Sequence, residues 1–200
     1  MHTDCGDNSQ VFQLKVTLKR TKPPIWRRIQ VRGSIRLPHL HGCLQTVMGW
    51  HDEHLHQFAV RGPLGERIFY GEPEPNPLLG FDWTKNEKKV RLDHIVGAPK
   101  DHFVYEYDFG DGWEHEILVE KVLPPDPGGS YPICLAGKRA CPPEDVGGVW
   151  GYYEFLDAIA NPEHPDHEDR LEWIGGELDP EDFSVEDVNL RLKAVTRRGP

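Results

Sequence analysis

Two segments near the middle of the chain have the pattern of neighbouring β-strands, and they constrain the fold more than any other feature. Residues 103–109 and 113–122 are rich in aromatic and β-branched side chains, and Gly110-Asp111-Gly112 separates them. A short glycine-containing connection returns the chain directly beside itself, so this pattern predicts an antiparallel hairpin. The chain must therefore contain an antiparallel sheet.

The turn of this hairpin decides which side chains face each other. Asp111-Gly112 is a preferred pair for a two-residue type I′ turn, and in that register Asp108 faces His115. A loop one residue longer places Asp108 opposite Glu114 instead. Like charges directly opposite each other are destabilising, so that register needs a metal ion or basic residues nearby. We therefore predict the first register, with Asp108 and His115 paired.

Further strands are predicted from alternation. Apolar residues alternate with polar ones over 11–18, and 25–32 is predicted to be a second strand antiparallel to the first. Residues 55–60 and 67–70 form a second predicted hairpin around Gly-Pro-Leu-Gly. Residues 123–149 are rich in proline and glycine and predict a long loop, of the kind that is usually functional or held in place.

Helices are predicted after the first hairpin and at the end of the chain. Apolar residues between Leu40 and Met48 recur at helical spacing. Three more helices follow residue 150, the last one capped by Ser184. The sequence therefore predicts an α+β fold: a mixed, mainly antiparallel sheet, one helix after the first hairpin, and C-terminal helices packed on the sheet. Residues 1–9 are predicted to be a disordered tail, and residues 10–195 a single domain.

The bulk composition restricts the function classes. The net charge is −10, which argues against a general binder of nucleic acids or anionic membranes. No apolar run approaches the roughly 18 residues of a membrane span, and the polar start of the chain does not resemble a secretory signal. We therefore expect no membrane association and a cytoplasmic location. Four cysteines in 200 residues are too few for a disulfide framework.

Charge is unevenly distributed along the chain. Residues 9–50 contain eight Lys or Arg and no acidic residue, whereas residues 142–188 contain fifteen Asp or Glu and one arginine. The basic segment from Lys15 to Arg36 is a candidate surface for phosphates of a nucleic acid or for a protein partner. The alternative is that the two segments screen each other or form separate solvated faces.

Histidines and aspartates form the main candidate site. His54 and His56 are two residues apart on a predicted strand, so both point to one face. Together with Asp108, Asp111 and His115 they predict a His/carboxylate cluster that suits zinc or iron. The alternative for Asp108 and His115 is a structural hydrogen bond that orients the imidazole, or an acid/base pair.

A second candidate metal site lies in the proline-rich loop. Six residues lie between Cys134 and Cys141, whereas a zinc knuckle has two between its cysteines. A zinc ion there would need distant ligands, such as His164 and His167. The alternative is a pair of reduced, partly buried thiols. Serine-nucleophile chemistry is poorly supported, because none of the four serines has a Gly-x-Ser-x-Gly setting.

Several longer motifs resemble one family. They are Pro24-Ile25-Trp26-Arg27-Arg28, Gly49-Trp50 with His54-Leu55-His56-Gln57-Phe58, residues 105–115, residues 134–145, and Gly147-Gly148 through Gly151-Tyr152. In this order they resemble the plasmid pRiA4b ORF-3-like family over roughly residues 11–190. The resemblance implies a compact α+β domain. Some relatives carry the label TnpR resolvase, but the serine inventory and the acidity of this chain argue against a serine recombinase. Many relatives have a further cysteine where this chain has Val146, which weakens zinc binding in that loop.

Two functions are consistent with these observations. The first is a non-catalytic binding module linked to plasmid or mobile-element biology, in which Trp113 beside Asp111 grips a basic peptide or a nucleic-acid base. The second is a metal-dependent hydrolase or nuclease that uses the His/Asp cluster.

Overall fold

The fold is built around one eight-stranded sheet. The computed structural model describes residues 9–72, 84–126 and 128–197. The strand order is β5-β4-β3-β6-β7-β1-β2-β8, and every neighbouring pair is antiparallel except β4 and β5. The strands are β1 (Val11–Leu18), β2 (Trp26–Arg32), β3 (His56–Arg61), β4 (Arg67–Gly71), β5 (Thr84–Asn86), β6 (His102–Tyr107), β7 (Trp113–Leu123) and β8 (Ile133–Lys138). The predicted α+β class and the mainly antiparallel sheet are confirmed.

Alternation places the core on one face of the sheet. Leu14, Val16 and Leu18 in β1 are buried, while Lys15 and Thr17 between them are more exposed. Strand β1 lies between β2 and β7, so its apolar side chains are flanked on both sides by those of neighbouring strands. The predicted pairing of the first two strands is confirmed.

The hairpin of β6 and β7 has a different register from the predicted one. Tyr107 pairs with Trp113, and His115 pairs with Tyr105, so residues 108–112 form a five-residue connection. The prediction that Asp108 faces His115 was wrong, because the loop is held by Asp108 rather than by a two-residue turn. This register also differs from the disfavoured one in which Asp108 faces Glu114, but it contains another like-charge pair, Glu106 opposite Glu114.

Neighbouring polar side chains make this acidic pair tolerable. Lys19 donates to Glu114 at 2.6 Å, and Gln57 donates to Glu106 at 2.7 Å. Each carboxylate therefore has its own donor from an adjacent segment, and the repulsion across the hairpin is reduced. Gln57 lies in β3 and Lys19 directly follows β1. A prediction based on the turn residues alone does not include these contacts.

Within the described ranges, four α-helices accompany the sheet: α1 (Leu37–Met48), α2 (Gly148–Ala160), α3 (His167–Ile174) and α4 (Val185–Arg197). Helix α1 ends at Gly49, whose φ of 98° is in the left-handed region that favours glycine. The predicted cap of the last helix is confirmed, since the Ser184 hydroxyl accepts a hydrogen bond from the Asp187 amide at 3.1 Å. No helix in the described part of the chain is long and apolar enough to cross a membrane.

Two strands were not predicted. Strand β8 lies within residues 123–149, which we expected to be a loop, and it forms the sheet edge beside β2. Strand β5 has three residues and pairs in parallel with β4. Both are short edge strands, and their sequences carry little alternation. The predicted disordered tail, residues 1–9, lies almost wholly outside the described residues.

Candidate metal centre

Sheet topology brings His54 and Asp108 to the same end of the sheet. His54 precedes β3 and Asp108 follows β6, and these strands are antiparallel neighbours in which His56 pairs with Tyr107. The Asp108 amide donates to the Leu55 carbonyl at 2.9 Å, which extends the ladder one step beyond the strands. The start of β3 and the end of β6 therefore present both side chains at the same end of the sheet.

The hairpin loop orients the Asp108 carboxylate. Asp108 has a φ of 54°, a left-handed conformation that aspartate tolerates because its short side chain bonds locally. Its Oδ1 accepts hydrogen bonds from the amides of Gly110 at 2.9 Å and Asp111 at 3.2 Å. The other oxygen, Oδ2, lies 3.7 Å from His54 Nε2. One oxygen is thus held by the backbone and the other points to the histidine.

A third side chain, Asp145, arrives from the segment between β8 and α2. This segment docks on the hairpin loop, since the Gly147 amide donates to Asp111 Oδ2 at 3.1 Å. A Cβ on Gly148 would lie 2.5 Å from the Asp111 carbonyl oxygen, and the φ of Gly148 is +68°, so only glycine fits this approach. The predicted site residue Asp111 therefore acts as a support that places Asp145.

Glu144 anchors the same segment from its other side. Its carboxylate accepts a hydrogen bond from the Tyr107 hydroxyl and, at 3.0 Å, another from the His51 amide. Burial and then this carboxylate raise the pKa of Tyr107, so the phenol remains protonated and continues to donate. The Tyr107 ring also meets the His54 ring edge-on, with the centroids 5.8 Å apart. One tyrosine thus contacts both parts of the cluster.

The three side chains have the spacing of metal ligands. His54 Nε2 lies 3.3 Å from Asp145 Oδ1 and 3.7 Å from Asp108 Oδ2, and all three ligand atoms lie within 4.8 Å of one another. Ligand bonds of about 2.1 Å in tetrahedral geometry separate ligand atoms by about 3.4 Å. His54 Nε2 is buried and makes no hydrogen bond within the described residues, although Asp145 Oδ1 lies only 3.3 Å away. The geometry therefore suits an ion between these groups better than a direct hydrogen bond.

His56 is directed away from this cluster. Its Nε2 lies 3.2 Å from both carboxylate oxygens of buried Glu87, and its ring stacks on His41 at 3.6 Å. His41 in turn contacts Asp52 Oδ1 at 2.7 Å and the Tyr105 hydroxyl at 2.8 Å. Burial, followed by the neighbouring His56, lowers the pKa of His41, although the Asp52 charge opposes this. Both nitrogens of His41 and Nε2 of His56 are therefore engaged away from Asp108 and Asp145, whereas His54 Nε2 faces these two carboxylates.

His115 and Trp113 lie in the core. Both are fully buried, and His115 Nδ1 lies 3.3 Å from the Tyr105 carbonyl oxygen. Burial lowers the pKa of His115 to about 4, so this imidazole is neutral at physiological pH. The prediction that Trp113 grips a ligand at an exposed hairpin end was wrong, because its ring packs against Trp50. Across the hairpin His115 pairs with Tyr105 and not with Asp108, its predicted partner.

The two loop cysteines gather no cluster of metal ligands in the described ranges. Cys134 is buried in β8 and Cys141 follows that strand, and burial raises the pKa of both thiols. His164 and His167 make local contacts near α3 instead, with the Asp166 amide and the Ala158 carbonyl respectively. The only group of three or more suitable ligands found among the described residues is His54, Asp108 and Asp145.

Much of the basic segment is occupied by contacts within the chain. Arg28 forms a bidentate pair with Glu120 at 2.6 and 2.8 Å, and Lys19 pairs with Glu114. Lys15 lies over the Trp26 ring. The acidic partners of Arg28 and Lys19 come from β7 and not from the C-terminal helices.

A cavity of about 630 Å³ adjoins the cluster on the side of His54. Its walls include His41, Asp52, His54, His56, Glu87 and Phe109. Phe109 is half exposed, so the cavity has one apolar wall among polar groups. A small polar molecule in this space would contact His54 directly.

Sequence reasoning named two of the three ligands and missed Asp145. Asp145 has no periodicity or spacing relative to His54 or Asp108, and it entered only as part of a longer family motif. The pair Gly147-Gly148, which begins two residues after Asp145, was the available signal, since consecutive glycines mark a close backbone approach.

Comparisons with known proteins place this chain in a family. A family model described as plasmid pRiA4b ORF-3-like protein matches residues 10–187. The uncharacterized protein y4hQ of Sinorhizobium fredii (strain NBRC 101917 / NGR234) is 40% identical over 171 residues, covering 84% of this chain and 82% of that protein. The crystal structure of MM3350, a protein of unknown function from Methanosarcina mazei Go1, is similar with a TM-score of 0.80 and 41% identity, covering 89% of this chain and 97% of that chain. The chain therefore belongs to the plasmid pRiA4b ORF-3-like family, as its motifs predicted.

Proposed function

We propose that this protein is a metal-dependent hydrolase whose divalent ion is held by His54, Asp108 and Asp145. The observation that carries the proposal is the buried, unbonded His54 Nε2 aimed at two carboxylates, with the three ligand atoms within 4.8 Å of one another. Catalytic metal sites characteristically have three protein ligands and one open position, whereas structural sites have four. The ligand count therefore favours a site that also binds water or substrate.

The ligand types restrict the choice of metal. One imidazole and two carboxylates suit zinc, manganese or iron better than calcium or copper(I), since neither an all-oxygen cage nor soft sulfur ligands are present. A bound ion of this kind lowers the pKa of its water to about 7 in the best cases. The partly exposed Asp145 leaves an approach for water, and the cavity beside His54 has room for a small substrate.

Metal binding is tested first by calorimetric titration. The metal-free parent protein and the variants His54→Ala and Asp145→Asn are each titrated with Zn²⁺ and with Mn²⁺. Loss of one of three ligands is expected to weaken binding at least about tenfold. Asp157→Asn on the exposed face of α2 makes the same charge change as Asp145→Asn and should bind metal like the unmodified chain. Equal affinity in all four proteins, or no binding at all, would contradict the site.

Hydrolysis is tested separately on the metal-loaded protein. Bis(p-nitrophenyl) phosphate and p-nitrophenyl acetate report phosphodiester and ester hydrolysis by release of nitrophenolate. We expect turnover of at least one substrate that depends on metal and is lost in Asp108→Asn. Tight metal binding with no turnover of either substrate would retain the metal site and reject the hydrolase.

A non-catalytic binding module is the second candidate function. It is favoured by two large apolar side chains on the surface, Phe109 at 51% and Trp150 at 81% exposure. Exposed aromatic residues are enriched where proteins bind partners. Under this proposal the partner is a protein or nucleic acid in the cytoplasm, linked to plasmid or mobile-element biology, and residues Lys15 to Arg36 supply any phosphate contacts. Pull-down with Trp150→Ala and Arg20→Gln variants tests it, and unchanged recovery of the partner by both variants would argue against it.

A further inference from the structure

A second cavity, separate from the metal cluster, lies between the end of α1, the segment after β8 and α4. Its volume is about 520 Å³. Its walls are partly aromatic and partly charged, and they include Arg27, Trp50, Cys141, Trp173, Phe183 and Arg191. No residue of the proposed metal cluster lines this cavity.

Arg27 is a buried cation without a carboxylate partner among the described residues. It is 2% exposed, and its Nε donates to the Val47 carbonyl at 2.8 Å. Its Nη1 donates to the carbonyls of Trp26 and Lys138, both at 2.9 Å. The guanidinium carbon lies 4.1 Å from the centre of the Phe183 ring. Within the described ranges Nη2 makes no hydrogen bond, so one edge of a guanidinium that lines the cavity is unused.

The surroundings do not neutralise this charge. Buried charges are normally paired, because removing an ion from water is costly. Val47 belongs to the last turn of α1, whose terminal carbonyls carry only about half a negative charge. The adjacent thiols of Cys134 and Cys141 remain protonated, because burial raises the pKa of each. A full negative charge is therefore missing beside Arg27 in the described structure.

A second guanidinium lines the same cavity. Arg191 on α4 makes no hydrogen bond or ion pair with the described residues, and its Nη1 lies 3.9 Å from where a Cβ on Gly49 would be. Burial lowers the pKa of Arg27, and the Arg191 charge acts in the same direction, so the two cations interact. Like charges brought together at a cavity favour an anion between them.

Carboxylates at the cavity do not fill this role. Glu144 is engaged by the Tyr107 hydroxyl and the His51 amide on the metal-cluster side. Asp182 and Asp187 also line the cavity, but neither forms an ion pair with Arg27 or Arg191. Asp187 is one helical turn before Arg191, a spacing that permits pairing, yet the pair is absent.

We propose that this cavity binds a small organic anion, whose carboxylate or phosphate group lies between Arg27 Nη2 and Arg191. Guanidinium groups bind such oxyanions through paired, charge-assisted hydrogen bonds. The rings of Trp50, Trp173 and Phe183 supply an apolar wall for the body of the molecule. The volume is sufficient for a compound with one ring, but a polymer could not be enclosed in it.

Calorimetry with two probes tests the proposal. Phenyl phosphate and benzoate share a ring and differ in the anionic group, and benzyl alcohol is the neutral control. The protein is first stripped of metal on a chelating resin that is then removed, so that no metal ion at His54 can bind the probes and no soluble chelator competes with them. We expect at least one anion to bind in the millimolar range or better, with affinity falling as salt rises, and benzyl alcohol not to bind.

Variants locate the bound anion. Arg191→Gln is on the surface of α4 and should weaken binding at least about tenfold, the effect of losing one charge-assisted hydrogen bond. Arg61→Gln, an exposed arginine in β3 outside the cavity, removes the same charge and should change affinity less than about twofold. Arg27→Lys retains the buried charge but loses the Nη2 group, so it should also weaken binding. Because the charge is kept, the result does not depend on a variant that removes the buried cation.

Three results would overturn the proposal. They are no binding of either anion, equal weakening by Arg191→Gln and Arg61→Gln, and binding that is lost in the metal-site variant Asp145→Asn. Anion binding that persists in Asp145→Asn supports a site independent of the proposed metal centre. Failure of the metal titrations would leave this result unaffected, because the two experiments use different residues and different ligands.

Discussion

Acid sensitivity of the core histidine His115 is the prediction with the most direct physical basis. Burial lowers the pKa of His115 to about 4, against 6.5 for an unperturbed histidine. Below 6.5 the unfolded chain binds a proton at this position, whereas the folded chain does not bind it until about pH 4. Protons therefore favour the unfolded state, and stability is complete above 6.5 and decreases as the pH falls through this window.

The size of the effect follows from the two pKa values. The gap between 6.5 and about 4 is worth about 3 kcal/mol once both states are fully protonated. At about pH 4.5 most of this, about 2–3 kcal/mol, should already be lost relative to about pH 7.5. His115 is fully buried, so screening by solvent does not reduce the figure.

The comparison uses the variant His115→Phe, which retains a ring beside Trp50 and Tyr105 and cannot titrate. Urea unfolding followed by tryptophan fluorescence gives the free energy of unfolding at both pH values. The parent chain should lose about 2–3 kcal/mol more than His115→Phe between them. His102→Gln, which removes an exposed histidine from β6, should behave like the parent.

Other groups titrate in the same range but cancel in this comparison. Burial also lowers the pKa of His41, and hydrogen bonds from Lys19 and Arg28 lower the pKa values of Glu114 and Glu120. These contributions are common to the parent and to His115→Phe. If both proteins lose the same free energy of unfolding between the two pH values, the reasoning about burial of His115 is refuted.

Three further substitutions have outcomes that the structure predicts. Gly148→Ala should destabilise the fold by about 1–3 kcal/mol and weaken metal binding, because its Cβ meets the Asp111 carbonyl at 2.5 Å. Gly97→Ala has open space around its Cβ, so it should change neither the urea midpoint nor the metal affinity. Glu87→Ala leaves His56 without its buried hydrogen-bond partner and should cost about 1–3 kcal/mol in urea unfolding. Loss of the exposed pair in Glu72→Ala should cost less than about 1 kcal/mol, and equal costs would contradict the role of burial. Ser184→Ala should cost about 1 kcal/mol through loss of the cap of α4, and an unchanged thermal midpoint would show that the cap contributes nothing.

Register of the central hairpin shows where local rules fail. Asp111-Gly112 favours a two-residue turn, and that preference predicted Asp108 opposite His115. In the folded chain Asp108 caps a five-residue loop, and Lys19 and Gln57 relieve the acidic pair that this register creates. Turn preferences amount to about 1 kcal/mol, so contacts from two other strands are sufficient to outweigh them.

Elements with a strong period were determined by the sequence alone. The alternation in β1 and the stripe on α1 identify buried faces, because the side-chain period of a strand or helix is a local property of the backbone. The α+β class, the first hairpin pair and the cap at Ser184 follow from such local signals. The motifs of the family are equally local and were sufficient to assign it.

The site itself was decided by the tertiary structure. His54 and Asp108 meet because β3 and β6 are neighbours, although 54 positions separate them along the chain, and Asp145 joins them because Gly148 allows its segment to approach the hairpin loop. The same long-range packing buries Trp113 and His115 and leaves Arg27 beside Arg191. Sequence patterns report the environment of a residue along its own element, whereas a site depends on distances between elements, and those arise only when the sheet and its loops pack together.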